Sequence, residues 1–328
     1  MKPSDLETLP VSRTGLAAGV ALIAAAATAA WVEVQARCAE REHPPAGHFI
    51  DIDGVQLHYV ERGEGPPVVL LHGNMVSLDD FEASGLIDRL AQSHRVIAFD
   101  RPGFGHSTRP RDRLWTPAAQ AALLHEALQH LGVEKPVLVG HSMGTLVALA
   151  LALDHSDDVS GIVLLGGYYY PSARIDALLT APVALPLVGD VMRYTVTAVS
   201  ARLLIERSVE AMFWPNEVPR AFFPALSREM MLRPVQLRAN AEDAAFMIPA
   251  AAACKARYLS LRMPVTIIAG DKDKVVDPQD HSVRLHEDVP HSDLVLVPEV
   301  GHMVHHVKLK TVAAAVERAS AEARSPHR

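Results

Sequence analysis

The chain has 328 residues, a formal net charge of −7 and two cysteines, Cys38 and Cys254. The acidic balance argues against a nucleic-acid partner, because phosphate recognition needs an excess of lysine and arginine. Two cysteines cannot build a disulfide framework or a cysteine-based zinc motif.

Residues 15–32 form an uncharged stretch dominated by alanine, valine and leucine. Its 18 residues just reach the length needed to cross a membrane. Three interpretations are open: a signal anchor, a signal peptide cleaved near residues 27–29 or near Ala36, and an alanine-rich helix of the folded body. We favour the anchor, with the folded part membrane-attached or exported on the periplasmic side; a cytoplasmic location is the alternative.

Residues 33–45 are interpreted as a polar linker, after which the folded elements begin with a β-hairpin around Asp53-Gly54. Short apolar runs then alternate with helical patterns, which predicts a mostly parallel sheet with helices on both faces. The predicted strands after the hairpin are 68–71, 95–99, 136–139, 161–166, 264–269 and 293–297, and the predicted helices are 81–91, 117–131, 145–153, 277–289 and 304–321.

The stretch from residue 168 to residue 261 breaks this alternation. It has no strand signal, and its apolar helical segments are separated by prolines. We interpret it as a helical cap or lid inserted before the penultimate strand of an α/β fold. The predicted organisation is therefore an N-terminal hydrophobic segment with its linker (1–45), an α/β core (46–167 and 262–328) and a cap (168–261).

A Gly-x-Ser-x-Gly motif lies between a predicted strand and a predicted helix, at Gly140, Ser142 and Gly144. This context is typical of a nucleophile elbow, in which a sharp turn presents the serine at the carboxyl end of the sheet. Side chains at the two glycine positions would collide with the neighbouring strand or helix. Ser142 is therefore the candidate nucleophile.

A serine hydroxyl becomes a good nucleophile only when a base removes its proton. The candidate base is His302, which stands out among 17 histidines because it follows the last predicted strand. The acid that orients the imidazole is predicted to be Asp273, in the loop after the preceding strand, whereas Asp271 and Asp277 are expected to solvate or shape that loop. The order serine, aspartate, histidine is that of the α/β-hydrolase triad.

With these motifs in this order, the chain resembles the α/β-hydrolase superfamily, in particular its lidded branch of serine esterases, C–C hydrolases, epoxide hydrolases and dehalogenases. The resemblance extends from about His48 to the final helix and leaves the N-terminal segment outside. It implies that the His72-Gly73-Asn74 loop helps to form an oxyanion hole. The implied donors are the backbone N–H groups of Asn74 and Met143.

Two departures from the branch narrow the function. Haloalkane dehalogenases and epoxide hydrolases of this fold use an aspartate nucleophile, where this chain has Ser142. The dehalogenases also carry tryptophan directly after the nucleophile, where this chain has Met143. The predicted activity is therefore a serine hydrolase that cleaves a carboxylic ester of a small hydrophobic substrate through an acyl-enzyme, with no cofactor or metal. The sequence sets no oligomeric state.

Two other functions stay open. The first is hydrolysis of a carbon–carbon bond in a ring-cleavage product, which needs cationic groups near the substrate carboxylate; Arg174, Arg193 and Arg220 are the candidates. The second is a binding protein that keeps the hydrolase fold without catalysis.

Three groups have competing interpretations. A metal site at His302, His305 and His306 is conceivable, but a catalytic histidine beside two others is simpler. Residues 168–170, three tyrosines, are expected either to line the pocket or to pack the cap hinge. The methionines of the cap segment suit an adaptable apolar pocket or an ordinary core; they are Met192, Met212, Met230, Met231 and Met247.

Overall fold

The computed structural model describes residues 13–173 and 175–324. Within them the strands are β1 (His48–Ile52), β2 (Val55–Arg62), β3 (Pro67–Leu71), β4 (Arg95–Phe99), β5 (Val137–His141), β6 (Gly161–Leu165), β7 (Val265–Gly270) and β8 (Asp293–Val297). The helices before β6 are α1 (Arg13–Glu42), α2 (Asp79–Ala83), α3 (Leu86–Leu90), α4 (Pro117–His130) and α5 (Met143–Asp154). Those that follow are α6 (Ile175–Ala184), α7 (Val188–Arg193), α8 (Val196–Phe213), α9 (Phe222–Leu226), α10 (Arg228–Met231), α11 (Pro234–Lys255), α12 (Arg284–Asp288), α13 (Val304–Val307) and α14 (Leu309–Arg324).

The strands form one sheet in the order β1-β2-β4-β3-β5-β6-β7-β8. β2 pairs antiparallel with β1 on one side and with β4 on the other, and all other neighbouring strands are parallel. The strand order reverses between β3 and β5, so the loops that follow these two strands diverge and leave a crevice at the carboxyl end of the sheet. The α/β fold predicted from the sequence, with a mostly parallel sheet, is confirmed.

The centre of the molecule is β5 with the helix that follows it. Every residue of β5 is buried, and so is α5 from Met143 to Leu153. α5 is apolar all round because it packs on β5 with one side and on α4 and α11 with the others. α3 and α14 cover the opposite face of the sheet.

The helices α6–α11, residues 175–255, are inserted between β6 and the penultimate strand β7. We call this group the cap. α11 joins it to the body by packing against α4 and α5. The second part of α8 packs with Val76 and Met303, which belong to loops of the body.

Four predicted elements differ from the observed ones. The helix predicted at 304–321 is divided into α13 and α14 at Lys308, whose φ of −128° and ψ of 47° are not helical. The helix predicted at 81–91 is split into α2 and α3 at Gly85, whose φ of 75° breaks the helix. The segment 277–289 begins with a π-helical turn, Gln279–Val283, before α12. α1 runs on to Glu42 through residues for which the sequence analysis predicts a linker, because Val32 and Ala39 are buried against the body.

Candidate active site

Ser142 lies at the turn between β5 and α5. Its φ of 51° and ψ of −118° are strained for a residue with a side chain. A Cβ on Gly144 would lie 2.1 Å from the carbonyl oxygen of Leu71, and one on Gly140 would lie 2.7 Å from that of Gly144. The two glycines therefore allow β5, α5 and the end of β3 to come together around the serine.

His302 and Asp273 form a buried pair on the loops after β8 and β7. The Nδ1 atom of His302 lies 2.7 Å from Oδ2 of Asp273, while Oδ1 of the same carboxylate accepts backbone N–H groups from Val275 (2.8 Å) and Val276 (3.0 Å). Because an ionised carboxylate only accepts hydrogen bonds, Nδ1 of His302 carries the proton and Nε2 is left with a lone pair.

The two neighbouring carboxylates have structural contacts instead. Oδ1 of Asp271 accepts the N–H of Glu299, and Oδ1 of Asp277 accepts those of Gln279 and Asp280 at the start of the π-helical turn. Neither has a hydrogen bond to His302 among the described residues. Of the three carboxylates, Asp273 is therefore the one that contacts His302, whereas Asp271 and Asp277 bond to backbone N–H groups.

A cavity of about 620 Å³ opens above Ser142. It is lined from the body by Asn74, Met75, His141, Ser142, Met143, Val275 and His302. The cap supplies Leu179, Thr180, Val183, Met192, Val196, Thr197, Ser200, Ala201, Leu204, Ile205, Ser208, Met212, Met231, Leu232, Leu237, Asn240, Ala241, Ala244 and Met247. None of these lining residues is a lysine, arginine, aspartate or glutamate, so the described wall of the cavity suits an uncharged, apolar ligand.

Four of the five sequence-predicted site residues, Ser142, His302, Asn74 and Met143, line this cavity. Asp273 lies behind His302. The backbone N–H of His302 donates to the carbonyl of Met212 at the end of α8, at 3.0 Å. The cap therefore holds the loop that carries the candidate base.

The loop after β3 is fixed by a neutral histidine. Nδ1 of His72 lies 2.7 Å from the carbonyl oxygen of Gly73, and Nε2 accepts the backbone N–H of Arg101 at 2.9 Å. Burial and the nearby Arg101 guanidinium lower the pKa of His72 to about 4. The imidazole therefore stays neutral with its proton on Nδ1, and it holds the loop against Arg101.

The side chain of Arg101 is a feature of the candidate site that the sequence analysis did not single out. Its fully buried guanidinium donates to the carbonyl oxygens of His72 (2.8 Å) and Gly73 (3.0 Å) and to Oδ1 of Asn74 (3.0 Å). It also pairs with Asp243 of α11. In the sequence, Arg101 and Asp243 resemble ordinary charged residues of a protein surface. Only the position of Asp243 within an apolar helical stretch could have indicated that its side chain is buried.

Next to the serine, His141 belongs to a second buried polar group. Asp80 accepts Nε2–H groups of His305 (2.8 Å) and His306 (2.7 Å), and Nδ1 of His141 lies 3.8 Å from the same carboxylate. Burial opposes the charge of Asp80, but the two histidines hold the pKa of this carboxyl well below its usual range. Asp80, His305 and His306 are of the residue types that bind metals. The hydrogen bonds from the two histidines to Asp80 already account for the contacts among the three side chains. His302 is not part of this cluster, because it faces Asp273.

Other residues singled out from the sequence have clear positions. Tyr168, Tyr169 and Tyr170 are buried outside the cavity lining and pack around His281 and Tyr258, so they belong to the cap hinge. Four of the cap methionines, Met192, Met212, Met231 and Met247, line the cavity. Arg193 is buried against Asp190, Arg220 is exposed, and Arg174 lies outside the described residues.

Comparisons with known proteins agree with this architecture. A family model described as alpha/beta hydrolase fold matches residues 66–309. Haloalkane dehalogenase 2 of Mycobacterium bovis is 25% identical over 290 residues, covering 84% of this chain and 94% of the relative. The 2-hydroxymuconate semialdehyde hydrolase of Pseudomonas putida is 26% identical over 289 residues, covering 88% of this chain and 99% of the relative.

Among solved structures, a bacterial membrane phospholipase A superposes with a TM-score of 0.65 and 21% identity. The match covers 95% of this chain and 96% of that one. At this identity the similarity shows the fold alone.

Proposed function

Because the chain belongs to the α/β-hydrolase family, we propose that it is a serine hydrolase that cleaves a carboxylic ester of a hydrophobic substrate. The observation that carries this proposal is the hydrogen-bonded Asp273–His302 pair, whose histidine lines one uncharged, mostly apolar cavity together with the strained Ser142. The relatives catalyse different reactions, so the choice among them rests on the site of this chain. Ser142 stands where the dehalogenases of this fold carry aspartate.

In the proposed reaction, Nε2 of His302 takes the proton of Ser142 as Oγ attacks the ester carbonyl carbon. Asp273 holds the imidazole in the required tautomer and stabilises the imidazolium. The oxyanion accepts hydrogen bonds from the N–H groups of Asn74 and Met143, each worth about 3 kcal/mol in the transition state. His302 then protonates the leaving alcohol, and water hydrolyses the acyl-enzyme to release the carboxylic acid.

The second candidate is carbon–carbon bond hydrolysis, which the 26% identity to the P. putida hydrolase favours. Its substrates carry a carboxylate, which needs a cationic partner in the pocket. The described cavity lining offers none. The uncharged wall therefore favours the ester.

The test is hydrolysis of p-nitrophenyl esters from acetate to palmitate by the full chain in detergent, with Ser142→Ala as the control. We expect turnover that the variant lacks, and a fluorophosphonate probe that labels the native chain only. Labelling without turnover of any ester would shift the assignment to C–C hydrolysis, measured with a ring-cleavage product. No labelling and no turnover would favour a non-catalytic binding protein.

We also propose that α1 is a signal anchor. It is the one described helix long and apolar enough to cross a membrane. The second half of α1 contacts the folded body through Trp31, Val32 and Glu40. Cleavage near residues 27–29 would fall beside these contacts, and cleavage near Ala36 would fall between them. The anchor predicts that the protein stays in the membrane fraction after alkaline carbonate washing, with a mass that includes residues 15–32. A smaller, soluble product would identify a signal peptide.

A further inference from the structure

Large apolar side chains are exposed mainly in two segments of the chain. In the part that the structure describes, 16 of the 22 exposed large hydrophobic residues lie in α1 or between residues 178 and 204 of the cap. The cap residues are Leu178, Leu179, Leu185, Leu187, Val188, Val191, Val196, Val199, Leu203 and Leu204, which together we call the apolar cap surface. The remaining six are scattered, so only these two segments need a covering partner.

The apolar cap surface begins where α1 leaves the body. The guanidinium of Arg202 lies 4.6 Å from the centroid of the Trp31 ring, and Leu203 follows directly on α8. Residues 14–30 of α1 project from the body with little burial, and at 1.5 Å per residue they extend about 26 Å, close to the thickness of a bilayer core. Trp31 then lies at the end of this stretch, as tryptophans do at a membrane interface.

Charges are sparse and neutralised on this surface. Between residues 178 and 204 the charged residues are Asp190, Arg193 and Arg202. Asp190 pairs with Arg193 and Arg111, and Arg202 pairs with Glu229. The next turns of α8 carry exposed charges at Glu206, Arg207 and Glu210, so the polarity changes along a single helix.

The mouth of the cavity opens on the same surface. Leu179, Val196 and Leu204 line the cavity and are also 73%, 68% and 52% exposed. The cavity is therefore open to the outside between α6 and α8, at a rim that is mostly apolar and also contains the exposed Ser200. An apolar rim facing water would be costly, whereas the same rim against lipid acyl chains is favourable.

We propose that the apolar cap surface is seated in the outer part of the lipid bilayer that α1 spans. The mouth of the cavity then faces the acyl chains, and substrate enters from the membrane. A bilayer is the occupant rather than a second copy of the chain because the surface is continuous with a helix of membrane-spanning length. This seating depends on the anchor proposed above but not on the ester chemistry, so it is measured without turnover.

The test places an environment-sensitive nitrobenzoxadiazole dye at single cysteines in the full chain, with Cys38→Ser and Cys254→Ala removing the native thiols. The positions are Leu203→Cys and Val191→Cys on the apolar cap surface, Leu22→Cys in α1, and Leu259→Cys as the matched control. Leu259 is a matched control because it is 87% exposed, comparable to the 76% of Leu203. In the sequence it lies outside α1 and outside residues 178–204, shortly before β7. The protein is reconstituted into phosphatidylcholine vesicles with or without doxyl-labelled lipid.

We expect blue-shifted emission and at least twofold quenching by doxyl lipid at Leu22, Val191 and Leu203, and neither at Leu259. Quenching at Leu22 without quenching at the two cap positions would keep the anchor and overturn the cap seating. No quenching at any position would overturn both. A blue shift at Leu203 that needs no lipid and grows with protein concentration in detergent would assign the surface to a second copy.

A second readout uses Leu203→Glu and Val191→Glu, which do not line the cavity, with Leu259→Glu as control. We expect both cap variants to hydrolyse an ester embedded in vesicles at least tenfold more slowly, with p-nitrophenyl acetate in detergent unchanged. An equal loss of hydrolysis rate on both substrates would mean that the substitution has damaged the fold of the cap. The dye measurement then decides whether the apolar cap surface lies in the membrane. Unchanged hydrolysis in vesicles would overturn entry from the membrane. If the chain proves to have no ester turnover, the proposed function fails while the dye measurement still tests the seating.

Discussion

Arg101 and Asp243 form a fully buried ion pair that joins the body to the cap. Nη1 of Arg101 lies 2.5 Å from Oδ2 of Asp243 on α11, and both side chains are inaccessible to solvent. The other Asp243 oxygen accepts hydrogen bonds from Arg109 (2.9 Å) and Gln120 (3.1 Å). Since a buried carboxylate and guanidinium are costly unless paired, this network fixes how α11 sits on the body.

Arg101→Lys should lower kcat by about tenfold to a hundredfold with little change in KM. Lysine keeps the charge but cannot reach the Gly73 carbonyl and Oδ1 of Asn74 together, so the Asn74 N–H would be less well aimed at an oxyanion. Arg109→Lys is the matched control, because Arg109 also pairs with Asp243 but has no hydrogen bond to this loop in the described structure. The measurement is ester kinetics and thermal unfolding of both variants. A similar loss of kcat in both would show that the loop is not positioned through Arg101.

Asp273→Asn should lower kcat by about 10⁴-fold, the scale found for loss of the correct tautomer in a serine hydrolase triad. The amide oxygen would take the two backbone N–H groups of Val275 and Val276, which turns the NH₂ group toward Nδ1 of His302. Nδ1 must then accept a hydrogen bond, and the proton moves to Nε2, where the base is needed. Asp271→Asn is the control and should keep most activity. If the two variants lost activity equally, Asp273 would not be the orienting acid.

The order of strands and helices in the α/β body could be predicted from the sequence, because it depends on local patterns. Local patterns also pointed to Ser142, His302, Asn74 and Met143, which the structure brings to one cavity. Short apolar runs bounded by turns, and a glycine-flanked serine between a strand and a helix, are recognised from neighbouring residues alone. Arg101 could not be assigned, because its role depends on Asp243, 142 residues further along the chain. The extension of α1 through residues 33–42 was also unpredictable, since its polar composition resembles a linker and only contacts such as Glu40 with Arg233 stabilise it on the body.

Ser142→Gly should abolish activity and raise the unfolding free energy, by about 1 kcal/mol. The φ of 51° at Ser142 strains a residue with a Cβ but not glycine. Ser142→Ala removes the same hydroxyl and keeps the Cβ, so it should be equally inactive without the gain in stability. The measurement is the unfolding midpoint of the three proteins in detergent. Equal stability of the glycine and alanine variants would show that the turn stores no strain.

Acidification from pH 7.5 to 5.5 should destabilise the protein, partly through His72. Burial and Arg101 lower its pKa to about 4, whereas an unfolded histidine titrates near pH 6.5. Between these values the unfolded chain binds the extra proton, so stability falls as pH falls, by about 1.4 kcal/mol per unit below 6.5. His141 acts in the same direction, because burial and the nearby His305 and His302 lower its pKa.

The measurement is the unfolding free energy of the native chain and of His72→Asn at pH 7.5 and 5.5. The variant should lose about 1.4 kcal/mol less than the native chain over this interval, since it lacks one of the titrating groups. An identical loss in both would show that His72 is already protonated in the folded protein or remains exposed to water.

The cavity wall should set the preferred acyl chain length. Ala244 lies on α11 and lines the cavity, whereas its neighbour Ala245 is exposed and is not part of the lining. Ala244→Phe should shift the optimum toward shorter p-nitrophenyl esters and lower kcat/KM for the longest at least tenfold, while hydrolysis of the acetate stays within about twofold. The reason is that the ring fills space between the cap and Ser142 that only a long acyl chain needs. Ala245→Phe adds the same ring to the same helix outside the cavity and should leave the profile unchanged. If Ala244→Phe left the chain-length profile unaltered, the acyl group would have to lie elsewhere than in this cavity.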